Sequence, residues 1–227
     1  MGDQVGMFIH VPVRNAAADA LAIARGPHTF GDLPARLRSE GYEAWAISYP
    51  STCGSIEDHA RQLEVLLNTV EGVDQVSFVT HSMGGIVVRQ LLGRDGVWKA
   101  RIRPGRVAMI APPNQGSAVA LSLKDNPAYA AFYGAAGQQL VPWFAVTLPT
   151  PKVPFAIIAS GKGDGEGYNP LLAGGDDGTV TVAETKLDGA ADFRVLPGVH
   201  GFIARSGVAD AAVIRFLSTG TFGDRNG

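Results

Sequence analysis

At 227 residues, with 46% hydrophobic and 18% charged side chains, the chain is long enough to bury one sizeable core, and no shift in composition divides it. The formal net charge is −2 and the Lys and Arg residues are dispersed, which argues against nucleic acid or an anionic membrane surface as partner. A single cysteine, Cys53, excludes an internal disulfide and a Cys-rich metal site.

The first residues carry neither the basic segment nor the apolar stretch of a signal peptide, and no apolar run reaches transmembrane length. A cytoplasmic protein is the expectation, although a mature secreted form that had gained a new Met would look the same. Residues 5–11, a short apolar run closed by Pro12, read as a buried strand. The Ala-rich stretch Asn15–Ala24 has high helix propensity but also leaves room for a short strand at Leu21–Arg25. Gly26-Pro27 closes it, and residues 31–40 read as a helix that ends at Gly41.

Glu43–Tyr49 is the next strand, ended by Pro50. Ser55 followed by Asp58 is a capping-box pattern, and Ile56, Ala60, Leu63, Leu67 and Val70 form one apolar stripe behind it. Strands follow at 75–80, 106–111, 153–160 and 192–196, with helices at 83–92 and 208–218. Strands alternating with helices predict a parallel sheet covered on both faces. Between Ser117 and Pro151 the alternation lapses into short helical pieces bearing Tyr129, Phe132, Tyr133, Trp143 and Phe144. This is a candidate cap over the carboxyl edge of the sheet, or a packing excursion that completes the core.

The Gly-rich loop 161–167 resembles a phosphate loop only superficially, because Gly163 stands after Lys162 where Ser or Thr is required. Asp164, Glu166, Asp176 and Asp177 lack the spacing of a Ca²⁺ loop. No cofactor and no metal is expected.

The chemistry-bearing stretch is Thr80-His-Ser-Met-Gly-Gly85, where an apolar strand breaks at small residues and restarts as a helix. Ser82 sits at that corner, either as the nucleophile of a strand-to-helix elbow or as the N-cap of the helix. Thr80 stands where the general Gly-x-Ser-x-Gly form has glycine. A serine nucleophile needs a base within hydrogen-bond reach and a carboxylate behind that base. His200 lies just past the last strand, and Asp176 and Asp177 lie in the long loop after the strand at 153–160, all at the same sheet edge as Ser82.

Taken with Gly41-Tyr42, Tyr49-Pro50-Ser51, Val87-Val88-Arg89, Ala111-Pro-Pro-Asn-Gln-Gly-Ser117, Asp177-Gly-Thr-Val180 and Val199-His200, these motifs resemble the small bacterial lipases and esterases of the α/β-hydrolase superfamily. The resemblance runs from about residue 5 to residue 218 and follows the chain order Ser, Asp, His. It implies one α/β-hydrolase domain over 1–227, with a compact parallel sheet of about six strands, helices on both faces and 117–150 as a small cap-like insertion. It further implies a serine carboxyl-ester hydrolase working through an acyl-enzyme, with Ser82 as nucleophile, His200 as base and Asp177, which directly precedes a Gly-x-Val-like segment, as acid. The same machinery would serve an acyltransferase, and the fold would also serve a non-catalytic binding protein. The leucines and aromatics of 117–150 favour a small-molecule ester with an apolar acyl group.

For the oxyanion, the backbone N–H of Met83 is one implied donor, at a helix N-terminus. The family's second donor follows a His-Gly that ends the first strand; here Val11 and Pro12 follow His10, and Pro12 has no N–H. An alternative alignment sets Arg25-Gly26 in that place, again followed by a proline, Pro27. Arg14, four residues after His10, suits the first alignment, so Val11 or Val13 is the implied donor.

Overall fold

The computed structural model describes residues 19–24, 28–48 and 51–223. The expected strand at 5–11, with His10, Val11 and Val13, and the alternative segment Arg25–Pro27 lie outside the described residues, as do Tyr49 and Pro50.

Among the described residues six strands form one parallel sheet: β1 (Asp19–Ala24), β2 (Ala44–Ser48), β3 (Gln75–His81), β4 (Arg103–Ile110), β5 (Phe155–Gly161) and β6 (Asp192–Pro197). Their spatial order is β2-β1-β3-β4-β5-β6. The chain steps outward from β1 to β2, crosses back to β3 on the other side of β1, and then continues in one direction. The reversal between β1 and β3 is a topological switch point, and open α/β sheets bind ligands outside the carboxyl ends of strands at such a point.

The helices are α1 (Leu33–Ser39), α2 (Ile56–Thr69), α3 (Met83–Gly93), α4 (Ala118–Leu123), α5 (Pro127–Gln138), α6 (Pro142–Ala145), α7 (Val182–Thr185), α8 (His200–Ile203) and α9 (Gly207–Thr219). Strand alternation distributes the core over two faces. Phe78, Val107, Met109, Phe155 and Ile157 point to the side covered by α2 and α3, where they meet Ile56, Leu63, Leu67, Ile86 and Val87. Their neighbours Val79, Ala108, Ile110, Ala156 and Ile158 point to the other side, against Leu33 and Leu37 of α1 and Val213, Phe216 and Leu217 of α9. A one-residue slip in any of these strands would exchange the two sets, so the register is strongly specified.

Local signals explain several boundaries. Ser55 Oγ accepts from the Asp58 N–H at 3.1 Å, and the Asp58 carboxylate accepts from the Ser55 N–H at 2.9 Å, a complete capping box that starts α2. Gly41, at φ 86, ends the turn after α1 in a conformation that favours glycine.

The structure decides one reading that the sequence left open and moves one boundary. The Ala-rich stretch ending at Ala24 is strand rather than helix from Asp19 onward, because β1 is paired on both sides, with β2 and with β3, and that ladder overrides the intrinsic helix propensity of alanine. The fourth strand begins at Arg103 rather than at 106, running through Pro104 and Gly105. The register with β3 shifts there, and Ser77 Oγ, in place of a ladder carbonyl, takes the Arg106 N–H at 3.1 Å. No described helix is long and apolar enough to cross a membrane.

Candidate active site

Ser82 follows β3 directly and precedes α3, at φ 53 and ψ −129, a strained conformation for a residue with a side chain. Its N–H donates to the Ile110 carbonyl at 2.9 Å, which ties the corner to the end of β4. Gly85 keeps the helix close to the sheet, since a Cβ there would stand 3.0 Å from Cβ of Pro112. Ser82 holds the N-cap position of α3 without making a side-chain cap hydrogen bond. Its hydroxyl turns instead to His200, with Oγ 2.8 Å from Nε2.

His200 opens α8 in the loop after β6, and its Nδ1 lies 2.8 Å from Oδ2 of Asp177. With Nδ1–H donating to the carboxylate, Nε2 is left as the acceptor for the Ser82 hydroxyl. The backbone repeats the link, because the His200 N–H donates to the Asp177 carbonyl at 2.9 Å. Asp177 is almost wholly buried and its acceptor sites are filled: Oδ1 receives the N–H groups of Thr179 at 3.1 Å and Val180 at 2.8 Å, and Oδ2 also receives the Ser160 hydroxyl at 2.7 Å. Burial alone would push this carboxyl up. The His200 hydrogen bond and charge, together with Val180 and Ser160, hold it below its usual range.

Asp176 points elsewhere. Its Oδ1 accepts from the N–H groups of Tyr168, Asn169 and Gly178 at 3.1, 3.0 and 2.6 Å. Asp164 likewise accepts from the Glu166 and Gly167 N–H groups. These acids fold their own loop, and among the described residues no group of three or more His, Cys, Asp or Glu is arranged to hold a metal ion.

Sequence reasoning passed over His81 and Ser160. His81 precedes Ser82, yet its buried ring packs against that of His200, centroids 4.9 Å apart, and its Nε2 donates to the His200 carbonyl at 2.9 Å. Burial, with the neighbouring His200 charge, pushes its pKa down to about 3. Between the ordinary value of 6.5 and about 3, the unfolded chain binds a proton at this position and the folded protein does not, so stability is lost as pH falls through that window. His81→Gln keeps a donor and removes the titration. Its urea-unfolding free energy should fall less steeply from pH 6.5 to 4, by up to about 1.4 kcal/mol per pH unit. Parallel profiles for wild type and variant would contradict this.

Above the Ser82–His200 pair lies a cavity of about 240 Å³. Met83, Pro113 and Val180 line it from the sheet side, and Val119, Tyr129, Tyr133 and Leu140 from the 117–150 segment. That segment both walls the cavity and packs on the core. At Gly134 (φ 64, ψ −167) α5 kinks hard against the Thr52 carbonyl, where any Cβ would collide. The Ala136 N–H donates to the Gly54 carbonyl at 3.0 Å, and Gln139 Oε1 accepts the Ile56 N–H at 2.7 Å, so the segment also supplies a partner to the first turn of α2. Met83, at the first position of α3, carries an N–H with no intrahelical partner beside the Ser82 hydroxyl.

β1 pairs with β3 on the side away from β4, with Ile23 opposite Thr80, so the carboxyl end of β1 lies level with the elbow. Neither Val11 nor Arg25–Pro27 is among the described residues.

No family model matches the sequence, and no curated protein matches it. Solved structures do resemble the fold. The mature form of the lipase BlEst2 from Bacillus licheniformis superposes with a TM-score of 0.68 at 20% identity, covering 97% of this chain and 96% of that one. A metagenomic carboxyl esterase, MGS0156, gives 0.65 at 17% identity over 88% of this chain and 72% of its own. The phospholipase PlaB from Legionella pneumophila gives 0.63 at 19% identity over 89% and 57%. At such identities the likeness speaks for the architecture alone: the chain has the α/β-hydrolase fold found in these lipases and esterases.

Proposed function

We propose that this protein is a serine hydrolase of carboxylic esters. The observation that carries the reading is the unbroken chain from Ser82 Oγ to His200 Nε2 and from His200 Nδ1 to Asp177 Oδ2, 2.8 Å at each link, at the floor of an apolar cavity. Ser82 Oγ attacks the ester carbonyl while His200 Nε2 takes its proton, and Asp177 steadies the imidazolium. The Met83 N–H receives the oxyanion. A second donor, for which the sequence names Val11, lies outside the described residues. His200 returns the proton to the departing alkoxide, leaving the acyl group on Ser82. Water, deprotonated by the same imidazole, then releases the acid and restores the hydroxyl. The lipase, phospholipase and carboxyl esterase among the structural neighbours support ester chemistry.

The cavity bears on the acyl group. An apolar cavity of about 150 Å³ holds a benzene ring. One of about 240 Å³ therefore suits about ten non-hydrogen atoms. A fluorophosphonate should label Ser82, and a series of p-nitrophenyl esters should be turned over best at acyl lengths of about six to ten carbons. Absence of labelling, with no burst at any chain length, would refute the reading.

A further inference from the structure

We infer that Ser160 is a positioning residue for this reaction, its hydroxyl fixing the Asp177 carboxylate and tempering the charge that His200 feels. The inference rests on the ester-hydrolase reading and adds a fourth member to its hydrogen-bonded chain.

Ser160 stands at the carboxyl end of β5, is 1% exposed, and lies 2.7 Å from Asp177 Oδ2, the same oxygen that receives His200 Nδ1–H. An ionised carboxylate has no hydrogen to give, so the hydroxyl donates. The consequence is geometric first. Asp177 sits in the loop between β5 and α7, whereas Ser160 sits on a buried strand paired on both sides. The strand therefore supplies a fixed point for a loop carboxylate, and with Thr179 and Val180 on Oδ1 and Ser160 and His200 on Oδ2 the group cannot turn without breaking a bond. The end of β5 also locates the base, since the Gly198 N–H donates to the Gly161 carbonyl at 3.0 Å just before the His200 turn.

The second consequence is electrostatic. The hydroxyl hydrogen is the positive end of a dipole aimed at Oδ2, and in a buried site it draws negative charge away from the bond to His200. Among the described residues the titratable groups facing Asp177 are His200 from the start of α8 and His81 from β3; Asp176 spends its Oδ1 on the amides of residues 168, 169 and 178. Without the hydroxyl, Asp177 presents an undiluted charge to the His200 imidazolium and stabilises it more strongly.

Ser160→Ala and Ser160→Thr in the full chain test this. The Ala variant should lose about tenfold in kcat with KM unchanged, the worth of one buried hydrogen bond. The acid limb of its kcat/KM profile should move up by about half a pH unit or more. The far-downfield proton resonance of His200 Nδ1–H should shift as well, and the Thr variant, which keeps a hydroxyl, should restore all three. A folded Ala variant with the wild-type acid limb and an unmoved Nδ1–H resonance would overturn the inference and leave Ser160 as a packing residue. Should the Ala variant not fold, Ser160→Cys, a weak donor of similar size, must show the same shifts in smaller measure, and unmoved values there count equally against it. The resonance needs no turnover, so it judges Ser160 even if wild-type Ser82 resists fluorophosphonate and the ester-hydrolase reading falls.

Discussion

On the proposed reading, Asp177→Asn should lower kcat toward the best ester by about 10⁴ while KM stays close to wild type. The environment of the side chain dictates how the amide must sit. Thr179 and Val180 both present N–H groups to Oδ1, so the amide oxygen takes that side. Its NH₂ then faces His200, whose Nδ1 must become an acceptor. That moves the ring hydrogen to Nε2, and Nε2 can no longer take the proton from Ser82 Oγ. Substrate binding is spared because Asp177 does not line the cavity. Asp176→Asn is the matched control. Its amide oxygen can still accept the three backbone N–H groups that Asp176 holds, so turnover should remain within a few-fold of wild type. Steady-state kinetics on the two variants decide the matter, and a large loss in Asp176→Asn with a small one in Asp177→Asn would reverse the assignment.

The contrast between these neighbouring acids shows where sequence alone was informative. Elements with a self-contained signal were legible: the Ser55–Asp58 box starts α2 where expected, and the apolar runs at β3, β5 and β6 are strands because their periodicity and bounding turns are local properties. The strand-to-helix corner at Ser82 was legible for the same reason. Asp19–Ala24 was not settled, since alanine favours helix and only the flanking strands make it sheet. Ser160 belongs to no motif, and His81 occupies an unspecified position of the Ser82 motif. Their relation to His200 and Asp177 arises when β3, β5 and α8 converge at one sheet edge, over separations no spacing rule spans.

Arg89 lies in a motif, Val87-Val88-Arg89, that gives it no role, and it carries the largest expected effect on stability. It lies on α3, buried, and all its hydrogen bonds run to oxygens around the 117–150 segment. Nε donates to the Pro149 carbonyl at 3.2 Å, Nη1 to the carbonyl and side chain of Asn114 at 2.9 and 3.3 Å, and Nη2 to the carbonyls of Ala145 and Leu148 at 3.3 and 2.8 Å. Burial pushes its pKa down to about 10, which still leaves it charged at neutral pH. The guanidinium thus pins both ends of the segment to the helix that begins at Ser82, while Tyr129, Tyr133 and Leu140 between those ends wall the cavity. Arg89→Met strips four carbonyls of a charged donor, and relief of the buried charge offsets part of that cost. The net loss should be about 3 kcal/mol. For a chain of this size that corresponds to a fall in Tm of about 6–12 °C. KM for a medium-chain ester should rise more than KM for an acetyl ester, because the longer chain depends on the wall and the shorter one does not. Arg89→Lys, with a point charge in place of the planar fork, should fall between the two. An Arg89→Met variant that melts within about 2 °C of wild type would show that the segment is held by its apolar contacts alone.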